Sequence, residues 1–403
     1  MKALNDNAHP LESLLQQHCP NGVEFKPLGE VIERVRRKVK NLNNVNVYSV
    51  SNSQGLILST DFRDRKLYSE DISNYTLIQK GEFAYNPARL NIGSIAFLTD
   101  EVGAVSPMYV VFKIDEKSLN QKFLFYFLKS PTTLRKIVSL TETGARFRFD
   151  FKRWEKFPIP LPPLEIQSKI VEILDTFTEL EAELEAELEA RLKQYHYYRN
   201  KLLSHDELEN RTAKSRNDSD PATLVPYVRL GEVCEIQKGR QLNKTELLDN
   251  GKFPIINGGI SPSGFWNEGN CKANRITISQ GGASAGYVNF MLIPFWAGAH
   301  CYVIENEKEN VVYKFLYYIL KNQQTFLMTS QYGAGIPALA KSKIEQLKIP
   351  LPPLAVQNEI VELLDKFDTL TNDLTSGIPA EIDARKKQYE YYRERLLSFI
   401  AKD

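Results

Sequence analysis

Three stretches of the chain carry side chains suited to gripping a polyanion. RVRRKVK (Arg34–Lys40) offers Arg34, Arg36, Arg37 and Lys38. GARFRFDFKRWEK (Gly144–Lys156) interleaves Arg146, Arg148, Lys152 and Arg153 with aromatic rings. QKGRQLNK (Gln237–Lys244) supplies Lys238, Arg240, Gln241 and Lys244, and Arg275 and Lys341 extend the set. Guanidinium and ammonium groups neutralise phosphates, while Arg and Gln can also pair with base edges. Any one of these, taken singly, is equally an ordinary solvated surface charge.

Patterns for bond-making chemistry are missing. An amino-methyltransferase would need an Asn/Asp-Pro-Pro-aromatic tetrad to hold an extruded base, and Asn86-Pro87-Ala88-Arg89 is half of one. GxxxxGK[ST], the phosphate-cradling loop, does not occur. The Gly-rich QGGASAG (Gln280–Gly286) reads as a turn with close backbone approach rather than a cofactor loop. His9, His18, His196, His205 and His300 have no metal-like spacing, and Cys19, Cys234, Cys271 and Cys301 form no CxxC pair. Neither a metal site nor a disulfide framework is expected.

The elements that must position the basic stretches come in duplicate. IPLPPL occurs at Ile159–Leu164 and at Ile349–Leu354, each followed by a Gln, Gln167 and Gln357. The correspondence continues through Ile170/Ile360, Leu174/Leu364, Asp175/Asp365 and Phe177/Phe367. QYHYYRNKLLS (Gln194–Ser204) matches QYEYYRERLLS (Gln388–Ser398), and KFLFYFLKS (Lys122–Ser130) matches KFLYYILKN (Lys314–Asn322). After each proline clasp, apolar residues recur at steps of three and four, with one step of seven in the second copy: Leu180, Leu184, Leu188, Leu192, Tyr195 and Tyr198 in one, Leu370, Leu374, Ile378, Ile382, Tyr389 and Tyr392 in the other. That spacing predicts two long helices with a one-sided seam, each the natural partner of the other in an antiparallel coiled coil.

The regions before the clasps hold short β-type runs such as NVYSV, MYVVFKI, RITIS and HCYVIE, broken by Gly, Asn and Pro. The fold expected is α+β: two tandem globular domains separated and joined by two long helices, with an internal pseudo-twofold repeat. The division is an N-terminal segment 1–24, a domain 25–157, a central helix 158–204, a solvated linker 205–224, a domain 225–347 and a distal helix 348–403. The helices differ in one respect. The distal copy reads TSGIPAEID, so Gly377 and Pro379 predict a break where the central copy runs on.

Net charge is only +1, but six Glu fall within residues 178–190, TELEAELEAELEA, with no Lys or Arg. Outside that segment a mild basic excess remains, permissive for nucleic acid. No run of 18 apolar residues occurs, and the N-terminus lacks the apolar stretch of a signal peptide. A cytoplasmic protein with no membrane association is the simplest expectation.

The paired PLPPL-x-x-Q helices, the paired QY-x-YYR-x-x-LLS ends and the N-terminal LESLLQQHCPNGVEFKPLGEV together resemble the DNA specificity subunits of type I restriction–modification enzymes, over essentially the whole chain. The resemblance implies a non-catalytic protein in which each globular domain is a target-recognition domain. Each would read one half of a bipartite, asymmetric site in double-stranded DNA. It implies helices that dock two methyltransferase subunits, with Leu180, Leu184, Leu188, Tyr195, Tyr198, Leu370, Leu374, Tyr389 and Tyr392 as docking and spacer residues. No cofactor would be bound directly; S-adenosylmethionine would reside in the methyltransferase subunits, ATP and Mg in restriction subunits joined through the complex.

ELEA-ELEA-ELEA (Glu179–Ala190) further resembles the subclass in which a repeated four-residue unit in the central helix sets the gap in the recognised DNA. A second reading from another class stays open: a non-catalytic scaffold or adaptor with two protein-binding domains on a coiled-coil spacer.

Overall fold

A computed structural model describes residues 10–40, 42, 45–52, 54–60, 71–141, 147–216, 225–242, 247–248, 250–330, 337–373 and 376–399. The chain folds into two compact units, residues 1–184 with 382–403, and residues 185–381. Each unit is therefore one globular domain, the start of the helix that comes after it, and part of the other repeat's helix.

In the first unit the clasp closes the domain. Phe25–Pro27 pairs antiparallel with Pro158–Pro160, in the register Phe25↔Pro160. Prolines are tolerated here because a two-stranded ribbon has only edge strands, where missing N–H groups cost no ladder bond. Between these strands lie two four-stranded sheets. One runs, in spatial order, Ile32–Val35, Val110–Ile114, Phe83–Tyr85 and Ile95–Phe97; the other runs Gly55–Leu58, Val47–Ser51, Val102–Val105 and Thr76–Gln79. Helices Gln121–Leu128 and Pro131–Ser139 come next, capped by the Asn120 and Ser130 side chains, with Pro131 in the first turn. Buried rings fill the core: Phe83 stacks on Phe112 at 5.1 Å, and Trp154 meets Phe149 at 4.5 Å.

The second unit repeats the plan. Tyr227–Arg229 pairs with Lys348–Pro350. A four-stranded sheet has the order Glu235–Lys238, Cys301–Glu305, Arg275–Ser279 and Val288–Met291, the counterpart of the first sheet above. A three-stranded sheet (Phe265–Trp266, Phe253–Ile256, Trp296–Ala297) replaces the other. Helix Tyr313–Asn322 covers the sheet with a face of buried residues including Phe315, Leu316 and Tyr318.

The central helix runs unbroken over 39 residues, Leu164–Leu202. Its seam is as the spacing predicts. Within the first unit, Phe177 packs on Tyr389 and, at 5.5 Å and 24°, on Tyr392, while Glu181 ion-pairs with Lys386. Partner numbers fall as helix numbers rise, so the two segments run antiparallel. Within the second unit the equivalent rings meet in the same way, Tyr198 on Phe367 at 5.5 Å and 23°. The distal helix is broken, as Gly377 and Pro379 predict: Leu354–Asn372 ends, and Ile378–Leu397 restarts with Pro379 in its first turn. A Cβ on Gly377 would lie 2.5 Å from the Thr369 carbonyl oxygen, so only glycine fits the corner.

The expected linker is a correction. Residues His205–Arg216 form a helix, with Leu208 and Thr212 buried. Arg211 pairs with Glu207 one turn back, at 2.8 Å, and with Glu359. Leu208 and Thr212, four residues apart, face inward, and the Arg211 pairs beside them complete the seat. Residues 217–224 lie outside the described residues.

Candidate nucleic-acid interface

In the first unit, the structure brings two of the basic stretches together. Arg34 leaves strand Ile32–Val35 on an exposed face, its guanidinium 5.9 Å from the Phe151 ring. Arg34 and Arg148 both act on the phenol of Tyr85, which burial pushes well above its usual range and these two cations pull partly back. Stretches more than a hundred residues apart in sequence thus share one surface. The aromatics between the charges point the other way: Phe149, Trp154 and Phe157 are core, not stacking platforms. They anchor a short helical segment, Phe151–Lys156, from which Lys152 projects into solvent. Arg36 is exposed, Lys38 donates to the Asn74 carbonyl at 2.7 Å, and Arg148 is exposed beside Asp150 at 3.0 Å.

Two residues of this group serve the fold. Arg37 is bound by Gln79 and by the buried carboxylate of Glu82, so its charge is already paired within the domain although the side chain stays partly exposed. Arg153 donates to the Leu140 carbonyl. Arg146 lies outside the described residues.

In the second unit, Lys238, Arg240 and Gln241 lie at the end of the strand equivalent to Ile32–Val35, and all three are exposed. Their backbone is pinned. Gly239 donates to the Cys301 carbonyl at 2.8 Å and Arg240 to that of Ala297 at 2.9 Å, while Trp296 Nε1 donates back to the Arg240 carbonyl. A Cβ on Gly239 would sit 2.2 Å from the Gly298 carbonyl oxygen, so glycine is required where the chain crosses. The result is a rigid edge presenting long side chains. Lys341 lines a depression of about 470 Å³ beside Arg229 and Gln237, but Glu232, Glu235 and Glu345 line it too. Lys341 itself is 3.3 Å from Glu345. Mixed charge makes this a poor anion cradle. Arg275 is turned inward, 3.0 Å from Glu305 and over the Tyr313 ring, and leaves the candidate set. Lys244 lies outside the described residues.

Of the helix residues singled out by spacing, Leu184 and Tyr195 are buried within their own units and present no docking surface. Leu180, Leu188 and Tyr389 are half-buried, whereas Tyr198, Leu370 and Tyr392 keep one side open. Leu374 lies outside the described residues. Their neighbours, which the spacing did not single out, are more open to solvent. Tyr197 is 62% exposed and Tyr391 58%, each edge-on to the next tyrosine at 5.3 and 5.4 Å. The signal was the doubled Tyr-Tyr itself, whose first member falls off the seam.

Among the described residues, no group of His, Cys, Asp or Glu could hold a metal ion. Burial pushes the thiols of Cys234 and Cys271 up to about 12 and about 11, which keeps both protonated and unreactive. No helix among the described residues is long and apolar enough to cross a membrane.

Comparison with known proteins agrees with this geometry. The family model for the Type I restriction modification DNA specificity domain matches residues 20–194 and again 225–384, one copy for each repeat. A putative type I restriction enzyme specificity subunit of Haemophilus influenzae is 29% identical over 429 residues, spanning 98% of this chain and all of that protein. The EcoR124I/EcoR124II specificity subunit of Escherichia coli is 31% identical over 73% of this chain and 74% of its own length. In fold, the S subunit of a type I restriction–modification system from M. genitalium superposes with a TM-score of 0.57 at 19% identity, covering 98% of both chains.

Proposed function

Because the chain belongs to the type I restriction–modification DNA specificity family, we propose that each of its two units reads one half of a bipartite, asymmetric DNA site. The observation that carries this reading is the repeated edge. In both units the first strand of a four-stranded sheet, in the same place in the strand order, ends in exposed cations: Arg34 and Arg36 in one, Lys238 and Arg240 in the other. Arg148 and Lys152 join the first edge. Such a surface neutralises phosphates, while Arg34, Arg240 and Gln241 have the donors to pair with base edges.

The unbroken central helix with its ELEA repeat sets the gap between the half-sites. Tyr197 and Tyr391, exposed at matching places in the two repeats, receive the two methyltransferase subunits. Chemistry belongs to those partners: S-adenosylmethionine is held there, and ATP and Mg in the restriction subunits that join through the complex. The chain selects the site.

The adaptor reading differs in one measurable way. A reader of duplex DNA releases counterions, so its affinity falls along a straight line in log salt with a slope of roughly −0.9 per phosphate contact. Binding of the full-length chain, with its methyltransferase subunits, to a random-sequence duplex pool between 50 and 300 mM salt is expected to fall by orders of magnitude. A flat salt response would remove the DNA-reading assignment in favour of the adaptor.

A further inference from the structure

The glutamine after each clasp is wholly buried and fully satisfied. Gln167 Oε1 accepts from the Asn120 N–H at 2.7 Å, and its Nε2 donates to the Ser118 and Pro162 carbonyls at 2.9 and 2.8 Å. Gln357 repeats the pattern on the Val312 N–H at 2.7 Å and the Asn310 and Pro352 carbonyls at 3.0 and 2.7 Å. Eight residues further along each helix an aspartate makes a second attachment. Asp175 accepts from the Tyr126 hydroxyl at 2.6 Å and pairs with Lys122 at 2.5 Å. Asp365 accepts from the Tyr318 hydroxyl and pairs with Lys314 at 2.9 Å. In both units the donors sit on the domain's covering helix, at matched positions.

We propose that these two polar attachments, about 12 Å apart along the helix axis, are positioning residues. They fix the axial register and rotation of each reading domain on its helix, and so the gap at which two half-sites are accepted. The inference rests on the two-half-site reading above.

The apolar contacts at the same interface, Ile170 and Leu174 in one unit, Ile360 and Leu364 in the other, hold the surfaces together. Apolar contact is non-directional, however, and permits repacking in a neighbouring register. Hydrogen bonds do not. A slip by three or four residues, the smallest that keeps the apolar stripe facing the domain, moves the helix about 4.5 to 6 Å, stranding a buried amide with no water to replace its three partners. One buried polar side chain can likewise set register in a coiled coil. Two fixed points on a stiff rod define both translation and rotation, which one point cannot.

The test uses the full-length chain with its methyltransferase subunits, carrying Gln167→Met, which keeps the volume but removes the amide, or Asp175→Asn, which removes the charge that holds Lys122. Selection from a random-sequence duplex pool, then sequencing, reads half-sites and gap together. Duplexes with the preferred gap and with one base pair more or fewer then give the discrimination ratio. The wild type is expected to favour one gap. Gln167→Met should lower that ratio at least tenfold and Asp175→Asn severalfold, with both half-sites unchanged.

A merely stabilising role would lower the melting temperature and leave the ratio alone, and that result in either folded variant overturns the proposal. Should Gln167→Met fail to fold, Asp175→Asn, altered at the rim of the interface, decides by itself. A wild type that selects no bipartite site overturns the half-site reading beneath, an outcome visible before any variant is compared.

Discussion

Removing one four-residue unit, Glu183–Ala186, from the central helix changes its length without changing its seam. Leu188 moves into the place of Leu184, the buried leucine of that stretch, and Glu187 and Glu189 take over the flanking acidic positions. The helix shortens by about 6 Å, at 1.5 Å per residue. Four residues turn a helix by about 400°, so the part of the helix beyond the deletion is rotated by only about 40°. At roughly 3.4 Å per base pair, the DNA gap should shrink by at most about two base pairs, with both half-sites kept.

Sequencing of the methylated sites in cells carrying the wild-type or the shortened chain reads this directly. A two-residue deletion at the same place is the contrast. It turns the seam by about 200°, takes Leu188 off the buried face, and should abolish methylation altogether. An unchanged gap, or altered half-sites with the four-residue deletion, would refute the ruler argument. So would tolerance of the two-residue deletion.

Replacing Lys238 and Arg240 together by Ala should weaken DNA binding and make the salt slope shallower by about 2, with little change in melting temperature. Arg275→Ala, which leaves Glu305 unpaired, should instead cost roughly 2 kcal/mol of stability, read as a lower denaturant midpoint with the salt slope intact. Lys321 tests the interior electrostatics of the second unit. Burial, helped by Arg199 and opposed by Asp368, pushes its ammonium from 10.5 down to about 8. Between pH 8 and 10.5 the unfolded chain therefore binds more protons at this site, so its contribution to stability rises with pH through that window. Lys321→Met should remove this increment, so denaturant titrations of wild type and variant at about pH 7.5 and about pH 10 should show wild-type stability rising relative to the variant's.

Much of this architecture is legible in the sequence, because its strongest signals are local or periodic. The clasps, the three-four spacing of the long helices and the Gly377–Pro379 break each need only a short window. Ion pairing does not show in such a window. Arg37 looks like its neighbours Arg36 and Lys38, and only the fold, by bringing Glu82 alongside, pairs its charge. Arg275 is withdrawn by Glu305 in the same way. The aromatics of FRFDFKRW alternate with charge as a nucleic-acid surface would require, yet the alternation reflects a segment buried on one side. Helix His205–Arg216 is hidden by its polarity, since its buried apolar contact is Leu208, beside Thr212 and the Arg211 ion pairs. Gln167 and Gln357 could be matched as repeats, but their role depends on carbonyls converging from a turn nearly fifty residues away.

The corner at Gly377 makes the two long helices unequal before evolution. In the unbroken helix, an insertion or deletion propagates undiminished to everything beyond it, so only changes near a whole number of turns leave a working protein. In the distal helix a similar change can be taken up locally, where the backbone already abandons helical geometry and a non-helical stretch can lengthen or shorten. On the ruler reading proposed above, length changes in the central helix reset the gap between half-sites, whereas changes at the Gly377 corner do not.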